Sequence, residues 1–166
     1  MPTRATPAQP GRSDGRPQNK ILASLPADDF ARLQRHLRML PVALKQTFHV
    51  AEEPIREVIF LNGGVASITT NMRDGTTVEI ATVGHEGFLG VEAFLGNGIA
   101  VGHSRLQVPD TDAGYLPVAV FRAELERRGP FFDGVQRYSQ ALLKLMMQSA
   151  ACFAVHPVRS AAADGC

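Results

Sequence analysis

The sequence predicts a mainly β domain, a sandwich or barrel of short strands, with helices before and after it. Between residues 42 and 108, apolar side chains recur with a period of two, in short runs separated by Gly, Asn, Asp and Pro. After Pro117 the apolar period becomes helical. The chain has 166 residues, of which 45% are hydrophobic, and this is enough for one domain with a sizeable core.

The charge balance and the cysteine count exclude several classes of protein. With 17 Lys and Arg against 16 Asp and Glu, the net charge of +1 gives no overall attraction to nucleic acid or to an anionic membrane. Two cysteines cannot form a multi-disulfide scaffold, a four-cysteine zinc site or an all-cysteine iron–sulfur cluster. No apolar run reaches the roughly 18 residues of a membrane span, and the N-terminus has no secretory signal core. We therefore expect a cytoplasmic protein that makes no membrane contact.

The N-terminal segment differs in composition from the rest of the chain. Residues 1–19 contain four prolines, three arginines and almost no large apolar side chain, which predicts a disordered arm before a domain that begins at residue 20. A helix is predicted from Pro26 to about Leu37, because Pro26 and two acidic residues suit a first helical turn. One face of this helix is apolar, through Phe30, Leu33 and Leu37.

The predicted strands are Thr47–Val50, Val58–Leu61, Val65–Thr69 and Thr77–Val83, followed by a last pair at Ser104–Val108 and Ala113–Leu116. Asn62–Gly64 and Asp74-Gly75 are typical of hairpin turns, since their residues tolerate positive φ. Residues 109–112 predict a turn that joins the last pair.

Two helices are predicted after these strands. The first begins after Pro117 and ends at Gly129-Pro130, and a long helix follows over residues 130–156. The long helix has few charges, which predicts burial on two sides: one stripe on the β domain and one on a partner in a symmetric dimer, although burial within a single chain stays an alternative. The heptad-like seam assigned to the dimer interface is Phe131, Val135, Tyr138, Leu142, Leu145, Ser149 and Cys152, with Leu143, Met146, Met147 and Phe153 in a second stripe. Residues 157–166 predict a frayed tail.

Four motifs occur in the order found in one known family. They are Glu53–Ala66, which has a strand, a glycine turn and a second strand, then Arg73–Gly75, Gly84–Gly90 and Gln140–Cys152. Together they resemble the effector domain of the CRP/FNR family of bacterial transcription regulators, over roughly residues 19–156.

This resemblance implies a double-stranded β-roll with flanking helices and a homodimer formed through the long helix. In the family, that helix relays effector binding to a C-terminal winged helix-turn-helix. Only ten residues follow His156, against about seventy in that module. We therefore expect a sensory domain, not an enzyme, that reaches DNA only through a missing domain or a partner.

The resemblance also places a phosphate-binding cassette after Gly87, with a short helix over Val91–Leu95. The ribose-binding glutamate of the family is expected at Val91, and Glu92 comes one residue late. The phosphate-binding arginine is expected near Gly102 or His103, and the nearest cation is Arg105. Binding of cAMP is therefore not expected, and a different small-molecule effector or a degenerate pocket is. The candidate effector-binding residues are Gly87, Leu89, Gly90, Val91, Glu92, His103, Ser104 and Arg105.

Two alternatives remain open from the sequence. The first is a metal-dependent enzyme of the cupin type, using His49, His85 or His103 with Glu79 or Glu86, although the sequence has no His-x-His pair and no metal site is predicted. The second is a truncated regulator that forms mixed dimers with a full-length relative and blocks its binding to DNA.

Overall fold

The computed structural model describes residues 16–108 and 112–155. Mainly antiparallel strands are flanked by helices, and one long helix follows, as the sequence predicts. The elements are α1 (Lys20–Ala23), α2 (Ala27–Gln34), β1 (Arg38–Pro41), β2 (Thr47–His49), β3 (Glu57–Leu61), β4 (Val65–Asn71), β5 (Thr77–Val83), α3 (Glu92–Leu95), β6 (His103–Val108), β7 (Asp112–Pro117), α4 (Val118–Glu126) and α5 (Pro130–Val155).

The strands form two antiparallel sheets, in the orders β1-β7-β3 and β2-β6-β4-β5. Alternation along each strand turns one set of side chains toward the space between the sheets. On β6, Ser104 and Leu106 are buried, whereas Arg105 and Gln107 are exposed. Apolar side chains from both sheets fill the interior, and they include Ile59, Leu61, Ala66, Ile68, Val83, Leu106, Ala113 and Tyr115. The predicted β-roll is therefore confirmed.

Two of the predicted strand pairings are wrong. Asp74-Gly75 does join the paired strands β4 and β5, and Gly75 has φ +86°. Asn62–Gly64, however, leads from β3 in one sheet to β4 in the other, and β6 and β7 also lie in different sheets. Turn chemistry alone does not distinguish a hairpin from a connection between sheets. Positions 109–111 of the predicted last turn lie outside the described residues.

The ordered part begins before the predicted residue 20. Asn19 is fully buried and caps α1, because its side-chain oxygen accepts hydrogen bonds from the amides of Ile21 and Leu22. Its side-chain amide also donates to the carbonyl of Gly87 at 2.7 Å, so it fixes α1 against the start of the cassette. Residues 1–15 of the predicted arm lie outside the described part.

The helix predicted to run to about Leu37 ends earlier, and a strand that was not predicted follows it. Helix α2 stops at Gln34, and β1 pairs with β7. Three of the four residues of β1 are exposed and its last residue is Pro41, so the strand has no alternating apolar pattern.

Helix α5 has the predicted start, and much of its predicted dimer seam is buried within the chain. Phe131 and Val135 lie in one apolar core with α1, α2, α4 and Phe88, and Leu142 lies in the core between the sheets. These three residues are at most 5% exposed, so their assignment to a dimer interface is corrected. Tyr138 is also packed against both cores. Leu145 is half-exposed, Ser149 is partly exposed, and the side chain of Cys152 lies outside the described part.

None of the helices in the described ranges is both long and apolar enough to cross a bilayer.

Candidate effector site

The cassette begins with a short extended segment that is held in the core. Leu89 is fully buried and exchanges two backbone hydrogen bonds with Ile59 of β3, at 2.9 and 3.1 Å. Gly90 follows with φ +97°, a conformation that L side chains rarely adopt, and it turns the chain into α3. The predicted short helix is confirmed as Glu92–Leu95.

The loop after α3 is fixed to the segment between β2 and β3. The amide of Ile55 donates to the carbonyl of Gly98 at 2.7 Å, and the amide of Ala100 donates to the carbonyl of Glu53 at 3.0 Å. From α4, the Arg122 Nε donates to the carbonyl of Ala93 at 3.3 Å. The cassette is therefore a braced unit rather than a loose loop.

The side chain of Glu92 holds the two ends of this unit together. Its Oε1 accepts a hydrogen bond from the backbone amide of Val101 at 3.1 Å, which ties the first turn of α3 to the end of the loop. The carboxylate that lies nearest to the position of the family's ribose-binding glutamate is thus already used by the backbone.

A cavity of about 310 Å³ opens between this cassette and α5, and we call it the cassette groove. Most of its wall is apolar. The lining residues are Val91, Glu92, Leu95, Gly96, Asn97, Ile99, Val101, Ser139, Leu142, Leu143 and Met146. Glu92 is the one ionisable side chain among them, so the described part of the wall presents a negative charge and no cation.

Arg105, the predicted substitute for a phosphate-binding arginine, does not face this groove. Its direct cross-strand partners are Thr47 and Ser67, so it shares a face with them. The neighbouring pair Ser104 and Ile68 occupies the opposite, buried face of the same sheet. The register therefore turns the guanidinium of Arg105 away from the core, and the expectation that it lies in the effector site is wrong.

Most of the other predicted site residues do not line the groove. Val91 and Glu92 line it. Ser104 is buried inside the roll, and His103 accepts a hydrogen bond at Nδ1 from the backbone amide of Ala51 at 3.4 Å. Gly87 lies beneath the ring of Tyr138.

His49 is a buried polar neighbour of the cassette. Its Cε1 would lie 3.3 Å from a Cβ on Gly90, and its Nε2 is 2.8 Å from the carbonyl oxygen of Glu57. Burial lowers the pKa of His49, although its hydrogen bond to the Glu57 carbonyl and the negative charges of Glu92 and Glu57 oppose this effect. Because a carbonyl oxygen can only accept, Nε2 carries a proton and donates it to the Glu57 carbonyl.

The residues of the metal-enzyme alternative are not brought together. The Nε2 of His49 donates to the backbone carbonyl of Glu57, and Glu79 accepts from the hydroxyl of Ser67 on the outer side of its sheet. Glu86 accepts from the amide of Gly84 at 2.8 Å. Across the described ranges, no three His, Cys, Asp or Glu residues are grouped closely enough to hold a metal ion. The described geometry gives this alternative no support.

Most residues of the groove were not predicted from the sequence. Leu95, Asn97, Ile99 and Val101 come from the cassette, and Leu143 and Met146 come from α5, more than forty residues later. Leu143 and Met146 were part of the second apolar stripe of the long helix, which was the available signal. Nothing in the sequence alone indicated that this stripe would lie opposite α3.

Comparisons with known proteins support the fold. The chain matches no protein-family model and no curated protein in sequence. A cyclic nucleotide-binding domain from Methylobacillus flagellatus is similar in structure, with a TM-score of 0.62 and 12% identity over 79% of this chain and 76% of that one.

Two regulatory proteins are similar as well. A mutant regulatory subunit of a cAMP-independent protein kinase A from Trypanosoma brucei, bound to cAMP, has a TM-score of 0.62 and 19% identity over 74% of this chain. A c-di-GMP-responsive global regulator from Xanthomonas campestris has a TM-score of 0.62 and 14% identity over 78% of it. The chain spans 44% of the first protein and 65% of the second, so it corresponds to part of each. These structural similarities show that the chain has the double-stranded β-roll fold of cyclic nucleotide-binding domains.

Proposed function

We propose that this chain is the regulatory effector domain of a CRP-like transcription regulator, and that its cassette does not hold a cyclic nucleotide as the family's cassettes do. The fold and the braced cassette support the first part. The observation that carries the second part is the charge of the cassette groove, whose lining residues include one carboxylate and no cation.

The energetic argument rests on the phosphate. A cyclic phosphate carries a full negative charge, and moving such a charge out of water costs several kcal/mol unless a cation or several donors compensate for it. Here Glu92 adds a charge of the same sign. Arg105 lies on the outer face of its sheet, opposite the buried face that carries Ser104 and Ile68, and does not line the groove. A nucleotide phosphate in the groove would therefore be repelled rather than neutralised.

The test is calorimetric titration of the purified chain with cAMP, cGMP and c-di-GMP, each up to about 1 mM. We expect no saturable heat from any of them. The Trypanosoma brucei regulatory subunit mutant whose structure holds cAMP serves as the positive control. One-to-one binding of a cyclic nucleotide with a dissociation constant below about 100 μM would overturn the proposal.

We further propose that the chain forms a homodimer through the second half of α5, and that it contacts DNA only through a further domain or a partner. Leu145 is 50% exposed and lies on the stripe of α5 that runs from Leu142 to Ser149, and Met147, on another face of the helix, is 65% exposed. Of the predicted seam, Leu145 and Ser149 remain accessible for this contact.

Sedimentation velocity tests the dimer. We expect a mass of twice 17.9 kDa at micromolar concentration, and a shift toward monomer for Leu145→Arg. Leu44→Arg is the matched control, since Leu44 is a similarly exposed leucine, at 56%, outside α5. A monomer at all concentrations, or an equal effect of both substitutions, would contradict the proposed interface.

A further inference from the structure

We propose that the cassette groove binds an uncharged, mainly apolar small molecule that carries a hydrogen-bond donor. This inference rests on the proposed regulatory function and names the class of effector for the same site. It follows from the size of the cavity, the apolar character of its wall and the kind of polar atoms it presents.

The size and wall of the groove suit a small apolar ligand. A volume of about 310 Å³ lies at the lower end of the range for small-molecule sites, about 300–1,000 Å³. Three of its apolar side chains, Leu95, Val101 and Leu143, are each more than half exposed to water. A bound apolar molecule would remove this surface from water, which is the main favourable contribution to such binding.

The groove also has a bottom that is already formed. Leu142 and Ser139 are buried in α5, and the cassette opposite is held by backbone hydrogen bonds to the segment before β3. The ligand would therefore enter a recess between two fixed walls, and little conformational entropy of the protein would be lost on binding.

The polar atoms in the groove set the chemistry of the ligand. Glu92 uses Oε1 to accept from Val101, and within the described residues its Oε2 makes no hydrogen bond. The Ser139 hydroxyl donates to the carbonyl of Val135 at 2.8 Å, so only its lone pairs are left for a ligand. These atoms are acceptors, and they match a hydroxyl or N–H group on the ligand.

The negative charge of Glu92 disfavours anionic ligands. A ligand carboxylate or phosphate would meet the carboxylate of Glu92, and no cation lies among the described residues that line the groove. Two ligands of the same chain length that differ only in an alcohol or a carboxylate should therefore bind with very different affinities.

The experiment uses the full chain and the neutral dye Nile red as probe. We expect saturable fluorescence enhancement, displacement of the dye by 1-decanol, and at least tenfold weaker displacement by decanoate at pH 7.5. Equal displacement by both competitors, or no saturable dye binding, would overturn the inference.

Two matched substitutions locate the dye. Val101→Arg should lower its affinity at least tenfold, because the side chain lies on the groove wall and is 59% exposed. Val108→Arg is the control, since Val108 is 53% exposed and does not line the groove. Circular dichroism of both variants shows whether they are folded. Equal loss in both variants would contradict the assignment to this groove.

A second copy of the chain is the rival occupant. If Val101→Arg dissociates a dimer in sedimentation velocity, and dye binding to the original chain disappears as the dimer forms, the groove is an interface and the ligand proposal fails. Failure of the dye experiment leaves the titrations with cyclic nucleotides unaffected. The proposed function and this inference can therefore fail separately.

Discussion

The ring of Tyr138 on α5 lies directly against the backbone of Gly87 at the start of the cassette. A Cβ on Gly87 would come within 2.0 Å of two carbons of that ring. The ring also packs against Phe88, with centroids 5.2 Å apart. Helix α5 and the cassette are therefore joined at a position that leaves no room for a side chain.

The substitution Gly87→Ala should destabilise the protein by about 1–3 kcal/mol, the usual cost of overpacking a core. Gly87 does not have a positive φ, so the cost would come from the clash with Tyr138 and not from backbone strain. Urea unfolding followed by circular dichroism measures this change. A loss of less than about 0.5 kcal/mol would mean that α5 is free to move away from the cassette.

Gly134→Ala should have the opposite effect and stabilise the protein by about 0.5–1 kcal/mol. Gly134 lies inside α5, where glycine is less favourable than alanine by about that amount. The nearest atom to its added Cβ is Ile21 Cγ2 at 3.4 Å, an ordinary contact. The same unfolding assay serves as the measurement, and a lower midpoint for this variant would show that α1 packs more closely on α5 than described.

The fold followed from the sequence where each element carried a local signal. The period-two run at Thr77–Val83 matches β5, and Gly129-Pro130 marks the start of α5. Strand β1 was missed because it is mostly exposed and lacks alternation. Val135 and Leu142 of α5 were predicted to lie in a dimer interface, but they are buried within the chain. Heptad spacing indicates that a side chain is buried, but not whether the surface that covers it belongs to the same chain.

The site could be predicted only in part, for a related reason. Val91 and Glu92 follow a recognisable glycine motif, so they were found. Arg105 was placed wrongly because its face depends on strand register, and one residue of register reverses the face. Leu143 and Met146 reach the groove through the docking of α5, which is a tertiary property.

Tyr138→Phe should leave stability unchanged or raise it by up to about 1 kcal/mol. The Tyr138 hydroxyl is buried and makes no hydrogen bond of good geometry among the described residues; burial and the charge of Glu86 raise the pKa of this side chain, and the nearby backbone amide of Phe88 only partly opposes them. Removal of an unsatisfied buried hydroxyl removes a desolvation cost. Thermal and urea unfolding measure the difference. A loss of more than 1 kcal/mol would show that the hydroxyl has a partner in solution.

Stability should fall as the pH drops below about 6.5, partly through His49. Burial lowers the pKa of His49 in the folded chain below its ordinary value of 6.5. Below that pH the unfolded chain takes up a proton that the folded chain excludes, so unfolding is favoured by at most about 1.4 kcal/mol per pH unit.

Urea unfolding of the unmodified chain and of His49→Gln, each at pH 7.5 and 5.5, isolates this contribution. The glutamine side chain can still donate to the carbonyl of Glu57, but it does not titrate. We expect a smaller loss of stability at pH 5.5 in the variant. Equal losses in both proteins would show that His49 is not the group responsible.

The most direct test of the central claim, a cyclic-nucleotide-binding fold whose groove rejects phosphate and accepts apolar ligands, is a methyl NMR titration of the full chain. The methyl resonances of Leu95, Val101 and Met146 report on the groove wall. We predict saturable shifts of these resonances with 1-decanol and none with cAMP at about 1 mM. Saturable shifts with cAMP, and none with 1-decanol, would contradict the account.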